Sequence, residues 1–128
     1  MNLRSKGNIL IIDDEESIRT TIQVKLLELG YSVTLGATGA HGIQILKTGK
    51  RFDLIICDLK MPLKSGLEVI EFLSVSRPNV PTILLTGFAE ESNVAYAKSL
   101  GIDTILIKPF RMPNLLAAIS SKIASRGV

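Results

Sequence analysis

Residues Leu54 to Cys57 form an unbroken apolar run, Leu-Ile-Ile-Cys, that ends abruptly on a carboxylate, Asp58. A run this short, without polar alternation, suits a strand covered on both faces, as in a parallel sheet packed between helices. The Met61-Pro62 pair that follows stops the strand, because proline fixes φ and offers no N–H to a ladder. A polar residue at the carboxyl end of such a strand stands where open α/β sheets bind their ligands. Asp58 is therefore expected at the mouth of a loop, exposed and rigidly supported, and is the first candidate site residue.

The same strand signal recurs along the chain. Asn8 to Ile12 and Thr82 to Leu85 read as buried strands, and Thr104 to Ile107 as a further one. In Tyr31 to Leu35, Val33 and Leu35 alternate with Ser32 and Thr34, which suits a sheet edge. Between the strands, apolar residues recur at helical spacing. Ile18, Ile22, Leu26 and Leu29 predict a helix stopped by Gly30, and Ile43 and Leu46 one opened by Thr38 or Gly39 and closed near Gly49. Gly66 to about Ser76 follows with Leu67, Ile70 and Leu73 inward, then Glu90 to Leu100 stopped by Gly101. A last helix is expected from about Pro113 to Ala124, burying Leu116, Ile119 and Ile123. Strands alternating with helices, with connections too short for hairpin pairing, imply parallel βαβ units and a three-layer α/β sandwich. The edge character of the second strand favours the strand order 2-1-3-4-5.

Composition narrows the class. A chain of 128 residues, 46% of them hydrophobic, reads as a single domain over 1–128 with its core at about 8–124 and no output domain. No apolar run approaches the ~20 residues that span a bilayer. The basic N-terminal stretch lacks an apolar segment of signal-peptide type, so a cytoplasmic location is expected. The lone Cys57 excludes an internal disulfide and reads as a buried core residue. The 15 basic and 12 acidic residues are scattered, giving a net charge of +3 but no patch for direct nucleic-acid binding. His41, the single histidine, falls in the second predicted helix and is expected to be exposed and away from the strand ends.

Four of the five predicted strands end in a chemically useful group: Asp13-Asp14, Asp58, Thr86 and Lys108. Parallel strands point the same way, so these groups should gather on one rim. Three carboxylates together repel one another unless a cation neutralises them. Hard oxygen ligands with room for water suit Mg²⁺, with Mn²⁺ able to substitute. Lys108 adds a positive point charge for an anionic oxygen, Thr86 adds a donor, and Gly87 leaves space for approach. Such a set suits phosphoryl transfer onto a carboxylate, in which positioning and charge neutralisation supply most of the catalysis. Each piece has a plainer reading: Asp13 or Asp14 as a helix N-cap, Thr86-Gly87 as a turn, Lys108 as a surface lysine before a proline. Their joint placement at strand ends favours the site.

These motifs, Ile-Ile-Asp13-Asp14-Glu15, Asp58-Leu-Lys-Met-Pro-Leu-Lys-Ser-Gly66, Leu-Leu-Thr86-Gly87 and Lys108-Pro109-Phe110, resemble those of response-regulator receiver domains of two-component signalling, the CheY-like superfamily. The resemblance covers residues 8 to 124 and implies a flavodoxin-like (βα)5 fold. It implies that Asp58 is phosphorylated by a sensor histidine kinase or histidine phosphotransfer protein, switching a surface read by a downstream protein or output domain, with a homodimer as one such readout. By the same resemblance Asp14 and Asp58 ligate Mg²⁺ directly, Asp13 does so through water, and the Lys60 backbone carbonyl completes the protein ligands. Lys108 contacts the phosphoryl group, Thr86 is drawn towards it, and Lys108–Pro109 is cis. The chain departs from the family pattern at Ile105, where Tyr or Phe is common as a rotamer switch; a weaker or different readout is expected. Lys60 and Phe88 flank the site at positions that vary among similar domains, and Phe88 is expected to slow loss of the phosphoryl group.

The leading reading is a phosphoacceptor switch that catalyses its own modification, not a turnover enzyme. One rival is a Mg²⁺-dependent phosphohydrolase of the haloacid-dehalogenase type, whose nucleophile lies in an Asp-x-Asp after the first strand. A flavin or nucleotide binder would want glycines and hydroxyls there instead. A pseudo-receiver that only binds protein is disfavoured by the presence of Asp14, Asp58, Thr86 and Lys108 together.

Overall fold

The computed structural model describes residues 5–59, 61, 66–87 and 91–126, with side chains omitted at 91, 92, 125 and 126. The expectations for Lys60, Phe88, the Pro62 turn and the Glu90 helix start lie outside the described residues. Strands β1 (Asn8–Ile12), β2 (Ser32–Gly36), β3 (Leu54–Asp58), β4 (Thr82–Thr86) and β5 (Thr104–Ile107) alternate with helices α1 (Glu16–Glu28), α2 (Gly39–Lys47), α3 (Gly66–Ser76), α4 (Glu91–Ser99) and α5 (Met112–Arg126). All strand pairs are parallel and the order is β2-β1-β3-β4-β5, the expected flavodoxin-like arrangement.

The lack of alternation in the central strands has a direct cause. Successive residues of a strand face opposite sides, and both sides of this sheet are covered. Ile9, Ile11, Leu54, Ile56, Ile83 and Leu85 pack with Ile22 and Leu26 of α1 and with Leu115 and Ile119 of α5. Leu10, Ile12, Ile55, Cys57 and Leu84 point the other way, against Leu46 of α2, Val69, Ile70 and Leu73 of α3, and Ala97 of α4. At the edge, β2 is only partly buried, as its alternation required. In α5 the expected stripe is displaced by one residue. Leu115 and Ile119 are fully buried, while Leu116 and Ile123 flank them in partial burial; both leucines lie within a turn of Ile119, and it is Leu115 that faces the sheet. Leu29, expected in the stripe of α1, is its C-cap and lies at the surface. Gly30, Gly49 and Gly101 end their helices with positive φ, a conformation that side chains disfavour.

Two glycines hold elements closer than a methyl group allows. A Cβ on Gly42 of α2 would lie 2.4 Å from Ile12 Cδ1. A Cβ on Gly66 would lie 2.1 Å from the Asp58 carbonyl oxygen and 2.5 Å from Leu59 Cα. The Gly66 N–H donates to the Leu59 carbonyl at 3.0 Å, so α3 begins directly on the backbone that follows Asp58. The two sites differ in what would have to yield: a side-chain tip at Gly42, but main chain at Gly66. At Gly42, moreover, alanine gains about 1 kcal/mol of helix propensity. Gly66→Ala should therefore destabilise by about 1–3 kcal/mol, the range of overpacking, and Gly42→Ala by less. Urea unfolding of the two variants beside wild type tests the ranking; equal losses would show that the backbone after Asp58 yields as easily as a side chain.

Candidate functional site

Parallel strands deliver their carboxyl ends to one rim, and the rim holds the predicted groups. Asp13 follows β1 and extends the ladder, its N–H donating to the Gly36 carbonyl at 3.1 Å. Its Oδ1 accepts the Glu15 N–H at 2.9 Å, and its carbonyl accepts from the Arg19 guanidinium of α1 at 2.7 Å. Neither Asp13 nor Asp14 caps α1; the N-cap position is Glu15, which makes no side-chain cap bond. Asp58 ends β3, and Thr86 ends β4 with its side chain buried. The Lys108 N–H donates to the Thr86 carbonyl at 2.7 Å, which fixes where the lysine leaves the sheet. The Lys108–Pro109 bond is cis.

Lys108 is not a surface lysine: its side chain is 12% exposed. Its ammonium lies 2.9 Å from Glu15 Oε1, 3.0 Å from Asp13 Oδ2 and 3.2 Å from Asp58 Oδ2. Asp58, expected to be exposed, is 4% exposed. The Lys108 ammonium lies against its carboxylate, and Gly66 packs against its backbone carbonyl. Gly87 is exposed, with open space where a side chain would be. Gly87, Lys108 and Pro109 line a groove of about 630 Å³ with Glu15, Ile18 and Phe110. Ile105 is partly buried against the core on the α3 and α4 side. His41 is exposed in the first turn of α2, which starts soon after β2 ends; the helix leads back from that strand end, so it does not stand away from the strand ends as expected.

Carboxylate oxygens of Asp13, Asp14, Glu15 and Asp58 lie within 4.8 Å of one another. The donor set is all hard oxygen, as Mg²⁺ requires. Asp13 Oδ2 is buried and makes an ion pair with Lys108 Nζ at 3.0 Å but no aligned hydrogen bond. A buried carboxylate oxygen with hydrogen-bonding capacity to spare, grouped with three more carboxylates, fits a hydrated cation. Sequence reasoning missed Glu15 and Arg19. Neither residue carries a motif signal of its own, and both contacts depend on how the β1–α1 turn folds.

Charge also marks the neighbours. Burial acts to lower the Lys108 pKa, but the Glu15, Asp13 and Asp58 carboxylates outweigh it and hold the ammonium above the usual lysine range. Burial, then the Asp58 and Asp13 charges, push the Cys57 thiol well up, so it stays protonated; its S–H points to the Asp58 carbonyl at 3.3 Å. Cys57 is thus an inert core residue, as expected.

The chain matches the response regulator receiver domain family over residues 9–120 and belongs to that family. It is 34% identical over 122 residues to the uncharacterized transcriptional regulatory protein YkoG of Bacillus subtilis, covering 95% of this chain and 53% of that protein. It is 35% identical to the transcriptional regulatory protein DltR of Streptococcus agalactiae, covering 87% of this chain and 49% of that protein. The chain thus spans about half the length of these relatives. The CheY-like receiver domain protein of Methanospirillum hungatei superposes with a TM-score of 0.90 at 30% identity, covering 94% of this chain and 95% of that one. The response regulator TrrA of Thermotoga maritima, solved with Mg²⁺-BeF, gives 0.79 at 27% identity, covering 90% and 97%. Receiver domains bind Mg²⁺ at an acidic pocket and act with histidine kinases and output domains, and this chain carries such an acidic cluster. No helix among the described residues is long and apolar enough to cross a membrane.

Lys108 neutralises carboxylates that the fold forces together, so Lys108→Met should cost about 3 kcal/mol at neutral pH, the lower end of the range for a buried ion cluster that loses one partner. The lysine pKa is raised on folding, so its contribution is fully present below the ordinary lysine value of about 10.4 and fades only as pH rises through the higher folded value. The loss should therefore be the same at pH 7 and pH 9, and Mg²⁺ should recover part of it. Urea unfolding at both pH values, with and without Mg²⁺, checks this; a variant as stable as wild type would refute it.

Proposed function

We propose that this receiver takes a phosphoryl group from a phosphohistidine of a sensor histidine kinase or histidine phosphotransfer protein onto Asp58. The supporting observation is Asp58 Oδ2 within 3.2 Å of the Lys108 ammonium, inside the four-carboxylate cluster. An Asp58 oxygen attacks phosphorus, a P–O bond forms, and the P–N bond to imidazole breaks. The imidazole keeps the electron pair and takes a proton from solvent, leaving an acyl phosphate on Asp58. Hydrolysis later returns the carboxylate and inorganic phosphate.

Asp14 and Asp58 would hold Mg²⁺ directly and Asp13 through water, with the Lys60 carbonyl as a further ligand. When bound, Mg²⁺ supplies neutralisation of the charge that builds on the transferring oxygens. Lys108 holds one phosphoryl oxygen, and Asp13 is kept in place for its part by the Glu15 N–H and Arg19 contacts. Thr86 offers its hydroxyl to the phosphoryl group, and the open space at Gly87 admits the donor. That TrrA, a similar protein, takes Mg²⁺-BeF supports this reading. The chain acts as a phosphoacceptor switch and not as a turnover enzyme, and its altered surface is read by a downstream protein or an output domain. The transcriptional regulators among its relatives favour an output on gene expression.

The test is intact-mass spectrometry after incubation with acetyl phosphate and Mg²⁺. Wild type should gain one phosphoryl group and Asp58→Asn none, and chelation of Mg²⁺ should abolish the gain. No adduct on folded wild type would point to a receiver that signals by protein contact alone.

A further inference from the structure

We propose that Glu15 is a positioning residue that competes with the phosphoacceptor for Lys108 and so restrains phosphoryl uptake at Asp58. The inference rests on the receiver reading above. Glu15 stands at the N-cap of α1, where a side chain ordinarily serves the helix's own N–H groups, yet it makes no such bond. Its backbone N–H is tied to Asp13 Oδ1 at 2.9 Å, and its side chain turns outward to Lys108 Nζ, also at 2.9 Å. That contact is shorter than the 3.2 Å from the same ammonium to Asp58 Oδ2. The near partner of Lys108 is therefore a carboxylate with no part in the bond-making.

An ammonium has three N–H donors and no acceptor. One goes to Glu15 and one to Asp58, while Asp13 Oδ2 lies close but out of hydrogen-bond alignment. A phosphoryl group arriving on Asp58 brings anionic oxygens that need this cation. Lys108 meets them by moving toward Asp58, and the Glu15 contact that this movement stretches is set against the new one. Glu15 is half exposed, which limits the strength of its hold. It also lines the groove beside Gly87 and Lys108.

Time courses of phosphoryl uptake from acetyl phosphate, followed by intact mass in saturating Mg²⁺, separate this role from simple repulsion. Glu15→Gln keeps the reach but loses the charge; Glu15→Asp keeps the charge but loses the reach. Competition for Lys108 predicts that both accelerate uptake by about two- to fivefold, the range that a half-exposed ion pair supports. A carboxylate that merely repels the anionic donor predicts acceleration by Glu15→Gln alone. That pattern, or rates unchanged or slowed in both variants, overturns the proposal. Beryllofluoride affinity by calorimetry gives the second readout: Glu15→Gln should tighten binding when Lys108 is present and leave it unchanged in a Lys108→Met background. Tightening that persists without Lys108 also overturns it. A folded wild type that takes up neither phosphoryl group nor beryllofluoride overturns the receiver reading itself, whatever the Glu15 variants do.

Discussion

One ammonium, that of Lys108, lies within 3.2 Å of carboxylates carried by the β1–α1 turn and the end of β3. Those carboxylates are far apart in sequence and would repel each other if brought together alone. A parallel sheet with adjacent β1 and β3 has no choice about bringing them together, because both strands end on the same rim. The lysine arrives from β5, two strands beyond β3, and its N–H is pinned to Thr86 at the end of β4. Register across four strands is thus a condition of the charge balance. A slip in β5 would remove the cation from the acids, and the site would exist as residues but not as a neutralised cluster.

Main chain packs closely against the backbone of the acceptor. Gly66 starts α3 on the Asp58 and Leu59 backbone, and the Leu59 N–H donates to the Leu85 carbonyl at 2.8 Å. Asp13 is fixed by one main-chain and one side-chain donor, the Glu15 N–H on its carboxylate and the Arg19 guanidinium on its carbonyl. Backbone restraints of this kind leave little freedom to the reacting oxygen. They suit chemistry in which alignment supplies much of the rate. Asp58 is buried although it ends a strand, with Lys108 against its carboxylate and the start of α3 against its main chain.

The architecture was legible because it rests on local signals. Unbroken apolar runs such as Leu54 to Cys57 arise only where both faces are covered, and Gly30, Gly49 and Gly101 stop helices by conformation alone. Strand order followed from the half-polar pattern of β2, and the rim of polar ends from strand direction. What sequence did not reveal depends on contacts between distant segments. Glu15 meets Lys108 across 93 positions, and Gly42 meets Ile12 because α2 lies close on the sheet. No residue type announces either contact. The burial of Asp58 belongs with them, since an aspartate before a proline turn reads as exposed until the covering lysine is placed. The one-residue displacement in α5 is of another kind: Leu115 and Leu116 are chemically identical, and the helical period alone does not choose between them.

Ile105 sets a physical limit on how a change at Asp58 reaches the surface. An aromatic ring with a polar tip has two distinct environments to prefer, one buried and one wet. An isoleucine side chain is apolar throughout, so turning it outward exposes hydrocarbon without gaining a hydrogen bond. Partly buried against the α3 and α4 side of the core, it favours staying where it is. A side chain of this kind is poorly suited to act as a two-position switch between core and solvent. The Tyr96 hydroxyl, which donates to Glu71 Oε2 at 2.5 Å, already links α4 to α3 at the surface. Exposed contacts of that sort add little stability, so the tie leaves α4 held mainly by its packing on the sheet, where Ala97 is fully buried.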